Sequence, residues 1–251
     1  MEIYLTKMIL NPQSRMVWND LGNLQNLHRM ISKAFPKIEN DTAALHHARK
    51  TPRSEFDLLH RLDFNRQSGK AVLLVQSSVA PDWSFLNKDY AVEIDCKTVH
   101  EQYSKIENGM RLLFRLQANP TKRIGQKYRH PDEQKREEFT RKFRDEKSRR
   151  RIALNKDEEK IEWLKRKGED AGFRLADVQI KANVENVAAI AQSKIKSRRK
   201  DGESPMTFGS VVFEGVLEVT DAETLRDCII RGIGSGKAYG FGLLSIAPST
   251  D

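Results

Sequence analysis

The sequence has few cysteines and no long apolar runs. Its 251 residues contain two cysteines, Cys96 and Cys228, which stand far apart and outside any C-x-x-C pair. This excludes a disulfide scaffold and a cysteine zinc site. No apolar run approaches the roughly 18–20 residues that a membrane-spanning helix needs. Glu2 and Lys7 interrupt the first apolar run, which therefore lacks the layout of a signal peptide. We expect a cytoplasmic protein with no membrane partner.

The motifs of several enzyme classes are also absent. The six histidines form no H-E-x-x-H and do not cluster with carboxylates at metal-ligand spacing, so we expect no metal and no cofactor. A P-loop motif, a Ser-His-Asp arrangement and a Cys-His arrangement are missing as well. Cys96 alternates into a predicted strand and Cys228 lies in a predicted helix, which favours a role for both as small core residues.

What the sequence does have is positive charge, concentrated in two segments. The 44 Lys and Arg residues exceed the 35 Asp and Glu residues, for a formal net charge of +9. Residues 121–151 contain 13 Lys or Arg and 6 Asp or Glu, a net charge of +7, and residues 194–203 contribute +3. The rest of the chain is close to neutral. Local basic segments favour surfaces that bind an anionic partner such as nucleic acid, and solvated loops or helices are the alternative.

The apolar pattern of residues 1–100 predicts a ferredoxin-like βαββαβ domain. Residues 3–10 are typical of a strand, and Ser14 or Asn11 then begins one long helix that Pro36 ends. Two strands follow, joined by a hairpin connection, and then a short helix or turn at residues 81–86. The last strand alternates apolar and charged side chains, which predicts that it is half-buried. The three later strands are predicted at 56–64, 71–77 and 92–98.

Residues 110–251 repeat the same order of elements, which predicts a second ferredoxin-like domain and an α+β fold class. Its first helix begins near Asn155 and stops near Gly168, and its second is capped by Thr220 and Glu223. The two basic segments form an insertion at 121–151 and a hairpin at 192–203. The strands are predicted at 112–116, within the extended stretch 173–187, at 211–219 and at 241–247.

The densest local motif is the run GIGSGKAYGFG at residues 232–242, which we call the glycine-rich loop. Glycines allow a backbone to approach an anion closely, and Lys237 adds a positive charge in the middle of the run. The loop is therefore a candidate phosphate cradle, and a tight turn between a helix and a strand is the alternative. Its five glycines are Gly232, Gly234, Gly236, Gly240 and Gly242.

His28 is the histidine with a candidate catalytic role. It lies beside the apolar stripe of the first predicted helix, a position typical of a structural histidine at the edge of a core. Histidine also titrates near neutral pH, so it can take a proton from a ribose 2′-OH or give one to the leaving 5′-oxygen in RNA cleavage without metal. The residue pattern alone leaves both interpretations open.

Short stretches spread in order over nearly the whole sequence form a series. They are Tyr4-Leu5-Thr6-Lys7, Leu27-His28 followed by Phe35-Pro36, Phe114-Arg115-Leu116-Gln117-Ala118-Asn119-Pro120-Thr121-Lys122, Trp163-Leu164, Gly172-Phe173, Phe213-Glu214-Gly215-Val216-Leu217, the glycine-rich loop with Leu243-Leu244-Ser245, and Ala247-Pro248. This series resembles the CasE family, the CRISPR-repeat-processing endoribonucleases of the type I-E Cascade complex.

The resemblance implies two tandem ferredoxin-like domains and metal-independent cleavage of the CRISPR repeat in precursor RNA, at the base of its hairpin. The products would carry a 2′,3′-cyclic phosphate and a 5′-OH, and the protein would stay bound to the crRNA 3′ stem-loop beside other Cascade subunits. His28 matches the catalytic histidine of the family, and residues 192–203 match its basic hairpin. The candidate RNA-binding residues are Lys194, Lys196, Arg198, Arg199, Lys200, Lys237, Arg115 and Lys122.

One position departs from the family pattern. The family often places a tyrosine three residues before the histidine, and this sequence has Gln25 there. Glutamine does not act as a general acid or base near neutral pH, but it can donate a hydrogen bond to a phosphate oxygen. We therefore keep as a further hypothesis a non-catalytic or weakly catalytic subunit that binds the RNA hairpin. A third hypothesis, a general RNA-binding module outside CRISPR systems, fits the charge and the fold but not the order of the motifs.

Overall fold

The structure is a computed structural model, and it contains two antiparallel sheets, each with its own helices. The described residues are 2–38, 52–64, 70–123, 151–178, 184–185, 187–191, 195–197 and 206–249. Within these ranges no helix is both long and apolar enough to cross a membrane.

The first sheet has the strand order β2-β3-β1-β4, with antiparallel pairing throughout. This order confirms the ferredoxin-like prediction for the first half of the chain. Helices α1 and α2 lie on one face, where Leu27 and Ile31 pack with Leu73 and Val75 in a buried core. The elements are β1 (Tyr4–Leu10), α1 (Arg15–Leu21), α2 (Leu24–Ser32), α3 (Pro52–Glu55), β2 (Leu59–Phe64), β3 (Ala71–Ser77), β4 (Ala91–Thr98) and α4 (His100–Ser104).

The single long helix predicted at the start of the chain is wrong, because two helices replace it. α1 ends before Gly22, and the Asn23 side chain then accepts a hydrogen bond of 3.0 Å from the backbone N–H of Gln25. An asparagine at this N-cap position begins a new helix. Val17 of α1 and Leu27 of α2 still pack in one core. Because both helices bury side chains in the same core, their apolar residues keep the spacing of one continuous helix, which is why the sequence predicts a single helix.

The predicted half-burial of β4 is wrong as well. Val92 is 71% exposed and Ile94 is 41% exposed, and Cys96 is also on the surface. Residues 78–90 form turns and irregular chain, so the turn alternative at 81–86 is correct and no helix follows β3 before this edge strand. Cys96 is therefore not a core residue, whereas Cys228 packs partly buried against the core of the second sheet.

The second sheet has the order β11-β14-β5-β15, with β8 pairing to β14 beside β11. Its core packs Phe213 and Leu217 against Trp163 of α5 and Leu225 of α6. This arrangement confirms the second ferredoxin-like unit. Its main elements are β5 (Arg111–Ala118), α5 (Asp157–Glu169), β8 (Phe173–Leu175), β11 (Val187–Ala191), β14 (Val211–Val219), α6 (Ala222–Arg231) and β15 (Leu244–Pro248).

The helix boundaries of the second unit differ slightly from the prediction. Asp221, not Thr220, caps α6, since its carboxylate accepts the backbone N–H groups of Glu223 and Thr224, each at 3.0 Å. The helix ends at Gly232, as predicted. The start of α5 follows Lys156, one residue later than expected.

Both basic segments are closed by short antiparallel ladders. β6 pairs with β7 at the two ends of the predicted insertion, while residues 124–150 lie outside the described ranges. β12 pairs with β13, so the described ladder of the predicted hairpin includes residues 206–208, beyond the predicted end at residue 203. The remaining short strands are β6 (Thr121–Arg123), β7 (Arg151–Ala153), β9 (Asp177–Val178), β10 (Val184–Glu185), β12 (Ile195–Ser197) and β13 (Met206–Phe208).

Candidate active site between the two sheets

β2 is the edge strand of the first sheet, and its two faces contact different parts of the molecule. His60 pairs in register with the core residue Val75, so it faces the side that α2 covers. Arg61 points to the opposite side and reaches the second sheet. Because successive side chains of a strand alternate between faces, this one strand brings α2 and the second sheet to the same place.

Arg61 links the two sheets through a buried guanidinium that is 3% exposed. Its Nη1 donates to the backbone carbonyl oxygens of Arg115 and Leu243, both at 3.2 Å, and to the Ser245 hydroxyl at 2.9 Å. Its Nε and Nη2 donate to the Asp63 carboxylate at 3.0–3.1 Å. A buried charge is tolerated only when it is paired and hydrogen-bonded, and Arg61 meets both conditions across the junction.

The glycine-rich loop packs at the same junction, against both β2 and α2. Phe241 is buried and Tyr239 half-buried, and both pack on Leu24 of α2. At Gly240, where φ is 84°, an added Cβ would lie 3.5 Å from Nε2 of His60. Positive φ values of this size suit glycine and few other residues. The loop therefore packs against the surface that β2 and α2 form.

His28 and His60 bring their imidazole rings together at this surface. The ring centroids are 6.1 Å apart and the ring planes are inclined by 23°. His28 is half-buried, and Gln25 lies one turn before it on the same face of α2. Burial, and then the neighbouring His28, lower the pKa of His60 from 6.5 to about 3. At neutral pH His60 therefore stays neutral.

Three of the predicted RNA-binding cations have protein partners. Lys122 forms an ion pair of 2.9 Å with Glu159, and Arg115 forms one of 2.9 Å with Glu214. Lys237, in the 3₁₀ turn Lys237–Tyr239, donates to a backbone carbonyl at 2.5 Å. These side chains are therefore held at defined positions on the surface of the second unit.

The basic hairpin approaches the helix that carries His28. Its strand β12 contains Lys196 and lies against α2. The geometry thus brings together His28, Gln25, the hairpin strand and the glycine-rich loop, whereas Lys122 lies in the ladder at the base of the 121–151 insertion. The remaining cations predicted for the hairpin fall outside the described residues: Lys194, Arg198, Arg199 and Lys200.

Two residues of the junction were missed by the sequence analysis. His60 and Arg61 stand in the stretch Leu59–Phe64, where two polar side chains follow one another inside a predicted strand. Adjacent strand residues point to opposite faces, so two neighbouring buried polar residues indicate a strand with packing on both sides. The sequence shows that the two polar residues are adjacent, but their burial and their packing partners come from the structure.

The chemistry available at the junction is proton transfer. His28 can take or give a proton, and its half-buried ring keeps an exposed part for a ligand. Within the described ranges, no group of three or more His, Cys, Asp or Glu residues is placed to hold a metal ion. The site as described is built from imidazole and amide groups.

Comparisons with known proteins identify the family. The chain matches the family described as CRISPR associated protein over residues 3–248. It is 36% identical to the CRISPR-associated endoribonuclease Cse3 of Thermus thermophilus, covering 98% of this chain and 100% of that protein. It is 31% identical to the CRISPR system Cascade subunit CasE of Escherichia coli, with the same coverage. A solved structure of Thermus thermophilus Cse3, bound to an RNA representing a pre-cleavage complex, matches with a TM-score of 0.75 and 34% identity, covering 99% of this chain and 100% of that one. The chain therefore belongs to the CasE family of CRISPR-associated proteins.

Proposed function

We propose that this protein is a metal-independent endoribonuclease that recognises the CRISPR repeat hairpin in precursor crRNA, cleaves it at its base and stays bound as a Cascade subunit. The observation that carries this proposal is full-length similarity to an endoribonuclease and to a Cascade subunit, with His28 at the junction of two ferredoxin-like units. Its partners are the crRNA 3′ stem-loop and other Cascade subunits, and its location is the cytoplasm. The domain division at 1–100 and 110–251 belongs to the same proposal.

His28 is the proposed catalytic residue. In the reaction, the ribose 2′-oxygen forms a bond to the adjacent phosphorus, while the bond from phosphorus to the 5′-oxygen breaks. The 2′-OH proton passes to a base and the leaving oxygen gains a proton, which yields a 2′,3′-cyclic phosphate and a 5′-OH. A histidine serves either proton transfer, because it exchanges protons near neutral pH. Gln25, one turn away, is the proposed donor to a phosphate oxygen.

The basic hairpin is the proposed phosphate-binding element. Lys196 stands on the strand that lies against α2, and Lys194, Arg198, Arg199 and Lys200 flank it in sequence. A-form RNA has a deep, narrow major groove, so we place the hairpin near the end of the RNA stem. Further proposed contacts to the RNA are Lys237, Arg115 and Lys122. The glycine-rich loop is proposed to support the RNA on the side away from the basic hairpin.

Cleavage of the protein's own repeat RNA in EDTA tests the proposed function. The wild type is expected to cut once at the base of the hairpin, and His28→Ala is expected to lose about 10²–10⁴-fold in single-turnover rate, the usual contribution of general acid–base catalysis. His100→Ala is the matched control, since His100 is an exposed histidine at the start of α4. Uncut RNA with the wild type, or full activity of His28→Ala, would contradict the proposal.

Removing charge from the basic hairpin should weaken RNA binding in a salt-dependent manner. Replacing Lys196, Arg198, Arg199 and Lys200 by Ala is expected to flatten the plot of log affinity against log salt by about one unit for each phosphate that the variant no longer neutralises. The measurement is filter binding at several salt concentrations. An unchanged slope would show that the hairpin does not contact phosphates.

A non-catalytic or weakly catalytic hairpin-binding subunit is the second candidate function. The observation that favours it is Gln25, which replaces the tyrosine often found at this position in the family. Under this alternative, repeat RNA binds tightly and stays intact, so the cleavage assay separates the two. Membership in the CasE family argues against a general RNA-binding module outside CRISPR systems.

A further inference from the structure

The proposed mechanism assigns no role to His60, although its ring lies beside that of His28. His60 is 1% exposed, and it stands on β2 between α2 and the glycine-rich loop. Its low pKa keeps the imidazole neutral at neutral pH. A neutral imidazole carries one N–H donor and one lone pair that accepts a hydrogen bond.

The polar edge of the His60 ring is not explained by packing. Nε2 of His60 is buried, and among the residues that the structure describes it has no hydrogen-bond partner. A buried polar atom without a partner lowers stability. A phenylalanine ring would fill the same space without that penalty. The nitrogen therefore points to a role in another state of the protein, such as the RNA complex.

The neighbouring ring is turned so that one of its nitrogens is also buried. Nδ1 of His28 is inaccessible to solvent, so Nε2 is the nitrogen of His28 that can reach an RNA ligand. A histidine that exchanges a proton through one ring nitrogen is held in the required tautomer by a hydrogen bond at the other. The buried edges of the two rings lie on the same wall of the site.

We propose that His60 is a positioning residue for His28: in the RNA complex its neutral imidazole accepts a hydrogen bond from Nδ1–H of His28. This interaction leaves Nε2 of His28 to exchange protons with the RNA, so the inference rests on the proposed function and deepens it. Two imidazoles joined by a direct N–H···N hydrogen bond have ring centroids about 5 Å apart, which is the sum of an N···N distance near 3 Å and the two ring radii. The observed 6.1 Å must therefore shorten by about 1 Å. Catalytic hydrogen bonds are often long in a free enzyme and tighten in the complex.

Two substitutions at His60 distinguish the contribution of the ring's shape from that of its acceptor nitrogen. His60→Phe keeps the shape of the ring and removes the acceptor, whereas His60→Gln keeps an acceptor and removes the ring. We expect His60→Phe to bind repeat RNA with unchanged affinity and to cut it about 10- to 100-fold more slowly in single turnover. His60→Gln is expected to recover part of that rate. His100→Phe is the matched control, because it makes the same exchange at an exposed site.

The tautomer of His28 gives a second readout that does not depend on cleavage. Ring ¹⁵N spectra of the wild type, bound to repeat RNA with a 2′-deoxy group at the scissile position, should show His28 in its Nδ1–H form. The His60→Phe variant should show a mixture of tautomers. A wild-type His28 in the Nε2–H form, or a His60→Phe variant that cuts as fast as the wild type, overturns the inference.

These outcomes also separate the inference from the proposed function. If the wild type does not cut repeat RNA, the proposed function fails, and the spectra still decide the His28 tautomer. If the wild type cuts, His28→Ala does not, and His60→Phe cuts at the wild-type rate, only the positioning role of His60 fails.

Discussion

Replacing His60 by Phe should make the protein less sensitive to acid. In the folded protein, burial and the neighbouring His28 lower the pKa of His60 to about 3, whereas in the unfolded chain the pKa returns to its ordinary value of about 6.5. Below pH 6.5 the unfolded chain therefore binds a proton that the folded protein excludes. Stability contributed by the neutral, buried ring is present above pH 6.5 and is lost as the pH falls toward 3.

The size of this effect follows from the two pKa values. Each unit of separation between the pH and the unfolded-state pKa corresponds to about 1.4 kcal/mol. At pH 5 the separation is about 1.5 units, so His60 should lower the free energy of unfolding by about 2 kcal/mol relative to pH 7.5. Between pH 7.5 and pH 5, the free energy of unfolding of the wild type should therefore fall by about 2 kcal/mol more than that of His60→Phe. Titrating groups that do not interact with His60 are common to both proteins and cancel in the difference.

Urea unfolding at pH 7.5 and pH 5, followed by circular dichroism, measures the difference directly. At pH 7.5 the variant should be at least as stable as the wild type, because Phe removes a buried nitrogen that lacks a partner among the described residues. Equal pH dependence of the wild type and His60→Phe would refute the reasoning, since it would mean that His60 titrates in the folded protein as it does in the unfolded chain.

Two further substitutions test the junction and its turns. Arg61→Met should lower the free energy of unfolding by about 1.5–3 kcal/mol in urea unfolding, because it removes the charged hydrogen bonds to the second sheet, while Asp63 keeps an ion pair of 3.3 Å with Arg115. Arg174→Met at an exposed ion pair should cost at most about 1 kcal/mol. Gly232→Ala should lower the melting temperature more than Gly109→Ala does. Both residues have positive φ, but only at Gly232 does the new Cβ meet a backbone oxygen, at 2.9 Å. Equal effects within either pair would contradict the assigned contacts.

The α+β class and the repeated order of elements could be predicted from the sequence, since strand alternation and helical spacing are local properties. The same local rules explain the errors. The spacing from Val17 to Phe35 is continuous although Asn23 begins a new helix, because both helices face one core. The alternation of Val92 and Ile94 indicates a buried face, but burial depends on a covering element that residues 78–90 do not form.

The candidate site divides in the same way. His28, Gln25 and the two basic segments are visible in the sequence, because their chemistry resides in residue type, order and spacing. The role of β2 is not visible in the sequence. His60 contacts His28, and Arg61 contacts the second sheet, only because the fold places β2 between α2 and the second sheet. The sequence by itself thus determined the fold class, the family series and a candidate catalytic histidine. Only the tertiary structure decided which groups surround that histidine, because contacts between residues far apart in the chain depend on packing that no local pattern encodes.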